Sequence, residues 1–210
     1  MREIYLVGED EVTKAIIRKI MAVYTPELTV KGELPARGSE IKNKIANFNR
    51  LAAHTPVVLL TDLDTEDCAP VAKSNLLEGI EQNENFIVNV AVDEAEAWLL
   101  ADQDCFSNFL GVDKERMPTS ALQKQGGRVE RREMQLPLKA SYYLTHNLAL
   151  QSSKDEIKAQ IGSQGRRCKG KEYNTALVPF IENEWDVEKA RVNSDSLDRM
   201  IRRLIRLNEK

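Results

Sequence analysis

The stretch Pro56-Val57-Val58-Leu59-Leu60-Thr61-Asp62-Leu63-Asp64 decides the fold of this chain. Its apolar run is too short for a helix and is apolar on both faces, which is typical of a central strand in a parallel sheet. The polarity changes within two residues at the carboxyl end. Open α/β sheets bind their ligands outside the carboxyl ends of the strands, so this end is the place to look for chemistry.

Two carboxylates follow the strand. Asp62 and Asp64 are one residue apart, so on an extended backbone both side chains would leave the same face. Oxygen ligands in that position suit Mg²⁺ or Mn²⁺. The alternative is that residues 61–65 only supply acidic caps to the next helix, since Asp-x-Asp tripeptides are common.

Strands and helices alternate around this stretch. Apolar, strand-like segments precede and follow it, and apolar residues at helical spacing lie between them. The strand-like segments are Arg2 to Gly8, the pair Leu28 and Val30, and Phe86 to Val92; the helical ones are Val12 to Tyr24, a helix opened by Ser39 and Glu40, and Val71 to Ile80. Such alternation indicates βαβ units, so we predict an α/β fold with a mostly parallel sheet flanked by helices.

Acidic residues recur at three of the predicted strand ends. They are Glu9 and Asp10 after the first strand, Asp62 and Asp64 after the third, and Asp93, Glu94 and Glu96 after the fourth. Helix capping also favours acids at such positions. The coincidence of three strand ends nevertheless favours a shared metal site.

The composition favours a folded, cytoplasmic protein. Of 210 residues, 42% are hydrophobic and 30% are charged, and the apolar runs are too short to span a membrane. The first residues enter a strand pattern without a signal peptide. The three cysteines are far apart and lack metal-site spacing, so we expect reduced thiols.

Charge is distributed unevenly. Residues 1–112 contain 10 Lys and Arg against 19 Asp and Glu, whereas residues 113–210 contain 20 against 14. An acidic half suits metal binding and a basic half suits a polyanion, although basic helices are often simply solvated faces. We predict an α/β core at 1–112 and a helical basic extension at 113–210 that packs on it.

The predicted extension contains two basic segments. After Met117 no strand pattern is visible, and Arg128, Arg131 and Arg132 are predicted to lie on an exposed loop. The glycine-containing segment 162–171 carries Arg166, Arg167, Lys169 and Lys171. Its glycines permit close approach of a phosphate and its cations would hold one, so both segments are candidate nucleic-acid contacts. Either segment could equally be only a connecting loop.

Helices are predicted for the remainder of the extension. They are Pro137 to Leu150, with Leu138, Tyr142 and Leu148 inward, then Tyr173 to Glu182, and finally Ser196 to Asn208, whose outer face carries Arg199, Arg202, Arg203 and Arg206. Trp185 is predicted to be a core anchor.

Five segments together resemble a known family. They are Leu6 to Asp10, Leu59 to Asp64, Ala91 to Asp102, Tyr173 to Asp186 and Ser194 to Leu197. A strand followed by a loop glutamate, then a strand ending in Asp-x-Asp, resembles the Toprim catalytic fold of topoisomerases, primases and overcoming-lysogenization-defect nucleases. More closely, the five segments resemble a group of uncharacterised bacterial Toprim-like proteins, and Glu-Ala-Trp-Leu-Leu-Ala-Asp is the most specific segment.

The resemblance implies a metal-dependent nuclease that hydrolyses phosphodiester bonds of DNA or RNA. Glu9 would be the general acid/base or a metal ligand, Asp62 and Asp64 would hold Mg²⁺ or Mn²⁺, and Glu94 or Glu96 would complete a second ion site. Some relatives act in phage defence beside an ATPase. The implied partners are therefore nucleic acid and an ATPase. The short apolar runs predict no membrane partner, and a homo-oligomer is left open.

One departure from the Toprim pattern affects the catalytic assignment. Toprim proteins usually have glycine after the glutamate, whereas here Gly8 precedes Glu9 and Asp10 follows it. The assignment therefore stays open among Glu9, Asp10 and Glu11.

Two other classes of function compete with the nuclease. A response-regulator receiver also has acids after its first strand and an aspartate at a later strand end, but a lysine ending a fifth strand is not evident. A non-catalytic subunit would use the acids structurally and its basic half to dock a partner or nucleic acid.

Overall fold

Four parallel strands form the central sheet. The computed structural model describes residues 2–36, 38, 40–64, 66–125, 129–165 and 168–210. The strands are β1 (Arg2–Gly8), β2 (Leu28–Glu33), β3 (Val57–Asp62) and β4 (Phe86–Ala91), in the spatial order β2-β1-β3-β4. The predicted α/β fold with a parallel sheet flanked by helices is thereby confirmed.

Ten α-helices surround the sheet in the described part of the chain. They are α1 (Glu11–Tyr24), α2 (Glu40–Leu51), α3 (Ala69–Leu76), α4 (Ala95–Ala101), α5 (Gln103–Leu110), α6 (Ala140–Tyr143), α7 (Asp155–Gln160), α8 (Tyr173–Asn183), α9 (Val187–Arg191) and α10 (Asp195–Asn208). Short 3₁₀ turns occupy Lys114–Arg116 and Ala149–Gln151, and a π-helical turn, Leu144–Leu148, continues α6. Among the residues that the structure describes, no helix is both long and apolar enough to cross a bilayer.

Both faces of β3 are covered. Val58 and Leu60 belong to a cluster with residues of α1, α4, α8 and α10, whereas Val57 and Leu59 pack with residues of α2 on the opposite face. All four side chains are fully buried. Successive side chains of a strand point to opposite faces of the sheet. The continuous apolar run is therefore explained by a core on each side of the strand.

The larger of the two cores draws on both halves of the chain. Leu177 and Phe180 of α8 and Leu204 of α10 lie in the same buried cluster as Ile16 of α1 and Trp98 of α4. Trp185 lies in this cluster as well, as expected of a core anchor. The second half of the chain therefore completes the core of the first half.

A two-stranded antiparallel hairpin lies within the predicted extension. It is formed by β5 (Ser120–Gln125) and β6 (Val129–Met134). The prediction of a purely helical, strand-free region is wrong, because these strands carry mostly polar residues and lack the apolar alternation that marks a strand in sequence. Arg131 and Arg132, predicted on a loop, lie in β6.

The helix predicted from Pro137 to Leu150 is shorter and irregular. Leu138 and Tyr142, predicted to face inward, are 46% and 43% exposed. The four-residue α6 runs directly into a π-helical turn, so the 3.6-residue period on which the prediction relied does not hold. Leu148 is buried as expected.

Glu133 ties the hairpin to the start of α10. Its carboxylate is buried and accepts hydrogen bonds from Ser194 Oγ (2.7 Å), Ser196 N (2.8 Å) and Ser196 Oγ (3.0 Å). Burial raises the pKa of Glu133 to about 7, although the serine donors and the nearby Arg199 oppose that rise.

We expect Glu133→Gln to change how stability depends on pH. Because the Glu133 pKa is higher in the folded protein than its usual value of 4.5, the folded state holds this proton more tightly between pH 4.5 and about 7. Its contribution to stability is therefore present at low pH and is lost as pH rises through that window, by up to about 1.4 kcal/mol per pH unit.

Urea unfolding across that pH window measures the effect. The free energy of unfolding of the wild type should fall relative to that of Glu133→Gln as pH rises. The control is Glu130→Gln, which changes an exposed acid on the same strand. Parallel pH profiles for the wild type and Glu133→Gln would contradict the prediction.

Candidate functional site

The acids predicted from the sequence lie around the point where the sheet reverses its winding. From β1 the chain runs through α1 to β2 on one side, and then crosses back through α2 to β3 on the other side of β1. Helix α1 packs on one face of the sheet and α2 on the other. A crevice forms at the carboxyl ends of strands that flank such a switch point, here β1 and β3, and ligands of α/β proteins bind there.

Glu9 spans this switch point. Its Oε1 accepts hydrogen bonds from the hydroxyl of Thr61 and from the backbone N–H of Asp62 (3.1 Å). Glu9 follows β1 directly, and the two donors belong to the last two residues of β3. The structure thus brings the first and second acidic groups of the sequence into contact.

The two acids that follow Glu9 in the sequence have other partners. Asp10 is the N-cap of α1, where its Oδ1 accepts from the backbone N–H and the hydroxyl of Thr13, both at 2.9 Å. Glu11 is half-exposed and pairs with Lys14 at 2.7 Å. Of the three acids left open by the sequence, Glu9 is therefore the one that faces Asp62.

Asp62 lies at the centre of the group. Its Oδ1 accepts a hydrogen bond from the backbone N–H of Ala95, at the start of α4 (2.8 Å). Burial raises the pKa of Asp62 to about 9, with further increases from the carboxylates of Glu96, Glu9 and Glu94, against the lowering effect of the Ala95 N–H. The acids that follow β1 and β4 thus lie close enough to Asp62 to raise its pKa.

Asp64 is placed differently from the prediction. Strand β3 ends at Asp62, and Asp64 has left-handed backbone geometry (φ 52°), so the premise of an extended backbone through both aspartates is wrong. The exposed Asp64 carboxylate pairs with Lys139 (Oδ1–Nζ 3.0 Å). The capping alternative does not hold either, because the N-cap of α3 is Cys68.

The acids after β4 hold a distant segment of the chain. Asp93 accepts from the backbone N–H of Ala140 (2.9 Å) and Glu94 accepts from that of Ser141 (2.7 Å), so both satisfy the first turn of α6. Glu94 also lies 3.6 Å from the Lys139 ammonium. The Lys139 ammonium is therefore the counter-charge of both Asp64 and Glu94.

Glu96 is buried in α4 and has two partners from the second half of the chain. Its Oε1 accepts from the hydroxyl of Tyr173 (2.7 Å) and from Lys169 Nζ (3.0 Å). Lys169 also lies 3.8 Å from Asp10 Oδ2 and covers the ring of Tyr173. Burial lowers the pKa of Lys169, but Glu96 and Asp10 outweigh that effect and the net shift is upward.

The donor set has the chemistry that a divalent ion requires, but its side chains do not converge on one point. Glu9, Asp62, Glu94 and Glu96 offer only hard oxygen ligands, which suit Mg²⁺ or Mn²⁺. Within the described ranges no three acidic, histidine or cysteine side chains are close enough together to hold an ion. Lys139 and Lys169 instead provide the positive charge next to these acids.

The predicted nucleic-acid contacts that the structure describes lie on two segments of the chain. Lys169 is engaged with the acids, while Lys171 is exposed. Arg131 and Arg132 lie on the hairpin, where the backbone N–H of Arg132 donates to Asp195 (2.8 Å). Arg128, Arg166 and Arg167 lie outside the described residues.

Sequence reasoning missed three residues of the site. Thr61 and Tyr173 donate hydroxyl hydrogen bonds to Glu9 and Glu96, and Lys139 bridges Asp64 and Glu94. Thr61 immediately precedes the acidic motif, and that position is the signal that could have revealed it. Lys139 has no comparable signal, since it reaches Asp64 across 75 residues of sequence.

A comparison with protein families matches residues 7–205 to the family described as Domain of unknown function (DUF4276). The chain belongs to this family. The match includes every acid of the site and the lysines that neutralise them. Searches of curated proteins and of solved structures found no match.

Lys169→Gln should destabilise the protein at neutral pH. The change leaves the buried Glu96 carboxylate with Tyr173 but without its cation, and it removes the charge opposite Asp10. Because Lys169 is partly exposed, solvent screening limits the loss to about 1 kcal/mol. Chemical denaturation measures it, with the exposed Lys171→Gln as the matched control. Equal stability of the two variants would contradict the role assigned to Lys169.

Proposed function

We propose that this protein is a divalent-metal-dependent nuclease that hydrolyses phosphodiester bonds of DNA or RNA. The observation that carries the proposal is the contact of Glu9 with the Thr61–Asp62 end of β3, at the switch point of a parallel sheet. The acids after β4 lie beside the same carboxyl group and raise its pKa. Resemblance to Toprim proteins, whose pattern is a loop glutamate followed by a strand ending in Asp-x-Asp, supports the same class of enzyme.

Glu9 and Asp62 are the residues proposed to hold the ion, with Glu94 or Glu96 at a second position and Asp64 at the rim. The chemistry that Mg²⁺ or Mn²⁺ supplies at such carboxylates is polarisation of a phosphoryl oxygen and activation of a water molecule. Asp62 must lose its proton to act as a ligand, and a nearby positive charge favours that loss.

The hydrogen bonds of the site orient its carboxylates. Thr61 and the Asp62 N–H fix one oxygen of Glu9, which leaves its second oxygen as the candidate ligand or base. The Ala95 N–H fixes one oxygen of Asp62 in the same way. Lys139, half-exposed at the rim, is a candidate contact for a substrate phosphate, because its ammonium already lies beside the outermost acid.

Nucleic acid is part of this proposal as the substrate. An ATPase partner and a role in phage defence rest on the family resemblance alone. Of the predicted basic contacts, Arg131, Arg132 and Lys171 lie in the described part of the chain, and we propose that they contact the substrate together with Lys139.

Asp62→Asn is expected to abolish hydrolysis while the fold is retained. Asparagine keeps an oxygen to accept the Ala95 N–H, but it removes the carboxylate that the ion requires. Glu9→Gln should behave alike, and both should reduce the rate at least about a hundredfold. Cleavage of labelled single-stranded DNA, duplex DNA and RNA in Mn²⁺ measures this effect, with the exposed Glu184→Gln as the control. Full activity in Asp62→Asn would refute the assignment.

A second candidate function is a non-catalytic binding subunit. It is favoured by the way Lys139 and Lys169 already neutralise the acids, each by contacting two carboxylates. The two candidates differ in their response to metal. For a nuclease, Mn²⁺ should raise the melting midpoint of the wild type and not that of Asp62→Asn, since only a site in the folded state is stabilised by its ligand. For a binding subunit, neither protein should respond.

A further inference from the structure

A large cavity opens on the free edge of the sheet, to the side of the acids. It has a volume of about 800 Å³ and lies between α3 and α10. Residues Val88 to Val90 of the edge strand β4 line it, as does Arg131 of the hairpin. Its size is within the range of small-molecule sites, roughly 300–1,000 Å³.

The cavity is strongly cationic. Lys73, Arg131, Arg199 and Arg203 line it against one acidic residue, Asp67. All four cations are half-buried, whereas Asp67 is exposed. Half-buried cations in a concave wall attract an anion far more strongly than the same charges on an open surface, because solvent screens them less.

Three of these cations, Lys73, Arg131 and Arg203, lack acidic partners in the described part of the chain. Neither Lys73 nor Arg203 has a carboxylate within 4.0 Å there, and Arg203 donates only to neutral oxygens, Val88 O and Asn89 Oδ1, both at 2.9 Å. Arg199 lies 3.9 Å from Glu133, whose oxygens already accept from Ser194 and Ser196. Burial lowers the pKa of Lys73 and of Arg203, as expected of cations that lose water without gaining an anion. Burial also lowers the pKa of Arg199, and the opposing effect of Glu133 does not offset it.

The basic wall continues beyond this cavity. A second cavity of about 320 Å³ shares Lys73, Val88 and Arg203 with the first and adds Arg206. Residues 199, 203 and 206 recur at helical spacing, so they form one stripe along α10 that faces the edge of the sheet. Arg202 belongs to another side of the helix and pairs with Asp198 at 2.6 Å.

Apolar side chains form another part of the wall. Ala69, Pro70, Val71 and Leu77 from the region of α3 face the cavity together with Val90. A ligand that satisfies both parts of the wall has an apolar or planar body and several negative charges. Guanidinium groups bind phosphate oxygens in pairs, so phosphate is the anion that this wall fits best.

We propose that this cavity binds a small phosphate-bearing molecule of nucleotide size, a nucleoside polyphosphate. The phosphates contact Lys73, Arg199 and Arg203, and the nucleoside packs on the apolar side of α3. A nucleic-acid strand fits less well, because the cations are recessed in a cavity and not displayed along an exposed surface. The site is separate from the proposed nuclease centre, whose acids would repel the same ligand.

Isothermal titration of the full-length protein with ATP in EDTA tests the proposal without a divalent ion and without any readout of hydrolysis. The wild type should bind ATP, and Lys73→Gln and Arg203→Gln should each bind at least about tenfold more weakly. Arg202→Gln, on the same helix but outside the cavity, should bind as the wild type does. ATP should bind more tightly than pyrophosphate, since only ATP uses the apolar wall.

Thermal melting of each variant identifies any loss of folding. Arg203 also holds the edge carbonyl of Val88, so Lys73→Gln, whose side chain has no hydrogen bond in the described residues, decides the test if Arg203→Gln unfolds. Absence of ATP binding to the wild type at about 1 mM would overturn the proposal. Equal affinity of all variants for ATP would overturn it too. So would binding of an oligonucleotide, and not of ATP, that is lost in Lys73→Gln. A negative nuclease assay leaves this test unaffected.

Discussion

The requirement that β3 be covered on both faces governs the rest of this structure. Val57, Val58, Leu59 and Leu60 are fully buried, and each such side chain contributes roughly 1.5–3 kcal/mol when it leaves water. A strand with a core on each side cannot carry charge until it emerges from between the helices. The polar residues of β3 are consequently confined to its carboxyl end. The acidic residues that follow β1 and β4 lie at the same edge of the sheet.

That concentration of carboxylates has an electrostatic cost, and the structure offsets it with three kinds of donor. Backbone N–H groups at the starts of α4 and α6 donate hydrogen bonds to Asp62, Asp93 and Glu94. Hydroxyl groups contact Glu9 and Glu96. Two lysines supply full positive charges. At Asp62 the N–H of Ala95 does not offset burial and the neighbouring carboxylates, which is why the Asp62 pKa is raised.

The sequence was sufficient for the βαβ half and for the location of the acids. Uninterrupted apolar runs such as that of β3 have few alternatives to a buried parallel strand, and the polarity change at Asp62 marks the strand end directly. The hairpin could not be predicted, because its strands are polar and pair chiefly with each other. The left-handed turn at Asp64 was missed as well, since aspartate tolerates positive φ without requiring it.

Contacts between segments that are far apart in the sequence account for most of the site features that the sequence did not predict. Lys169 meets Glu96 across 73 residues, and nothing local to either residue indicates the pairing. The arginine stripe of α10 illustrates the same limit. Its composition predicted a basic helix face, but only the packing of α10 beside the edge of β4 turns Arg199 and Arg203 into the wall of a cavity.

The sharing of one core by α1, α4, α8 and α10 also has a consequence for biosynthesis. As the ribosome releases the chain, β1 to β4 emerge about a hundred residues before the helix that closes the face of their sheet. Until Leu197, Met200, Ile201 and Leu204 are available, the apolar side chains of that face have no cover from α10. Such an interval exposes the nascent protein to chaperones and to aggregation, and it makes completion of the larger core a late event in the synthesis of each molecule.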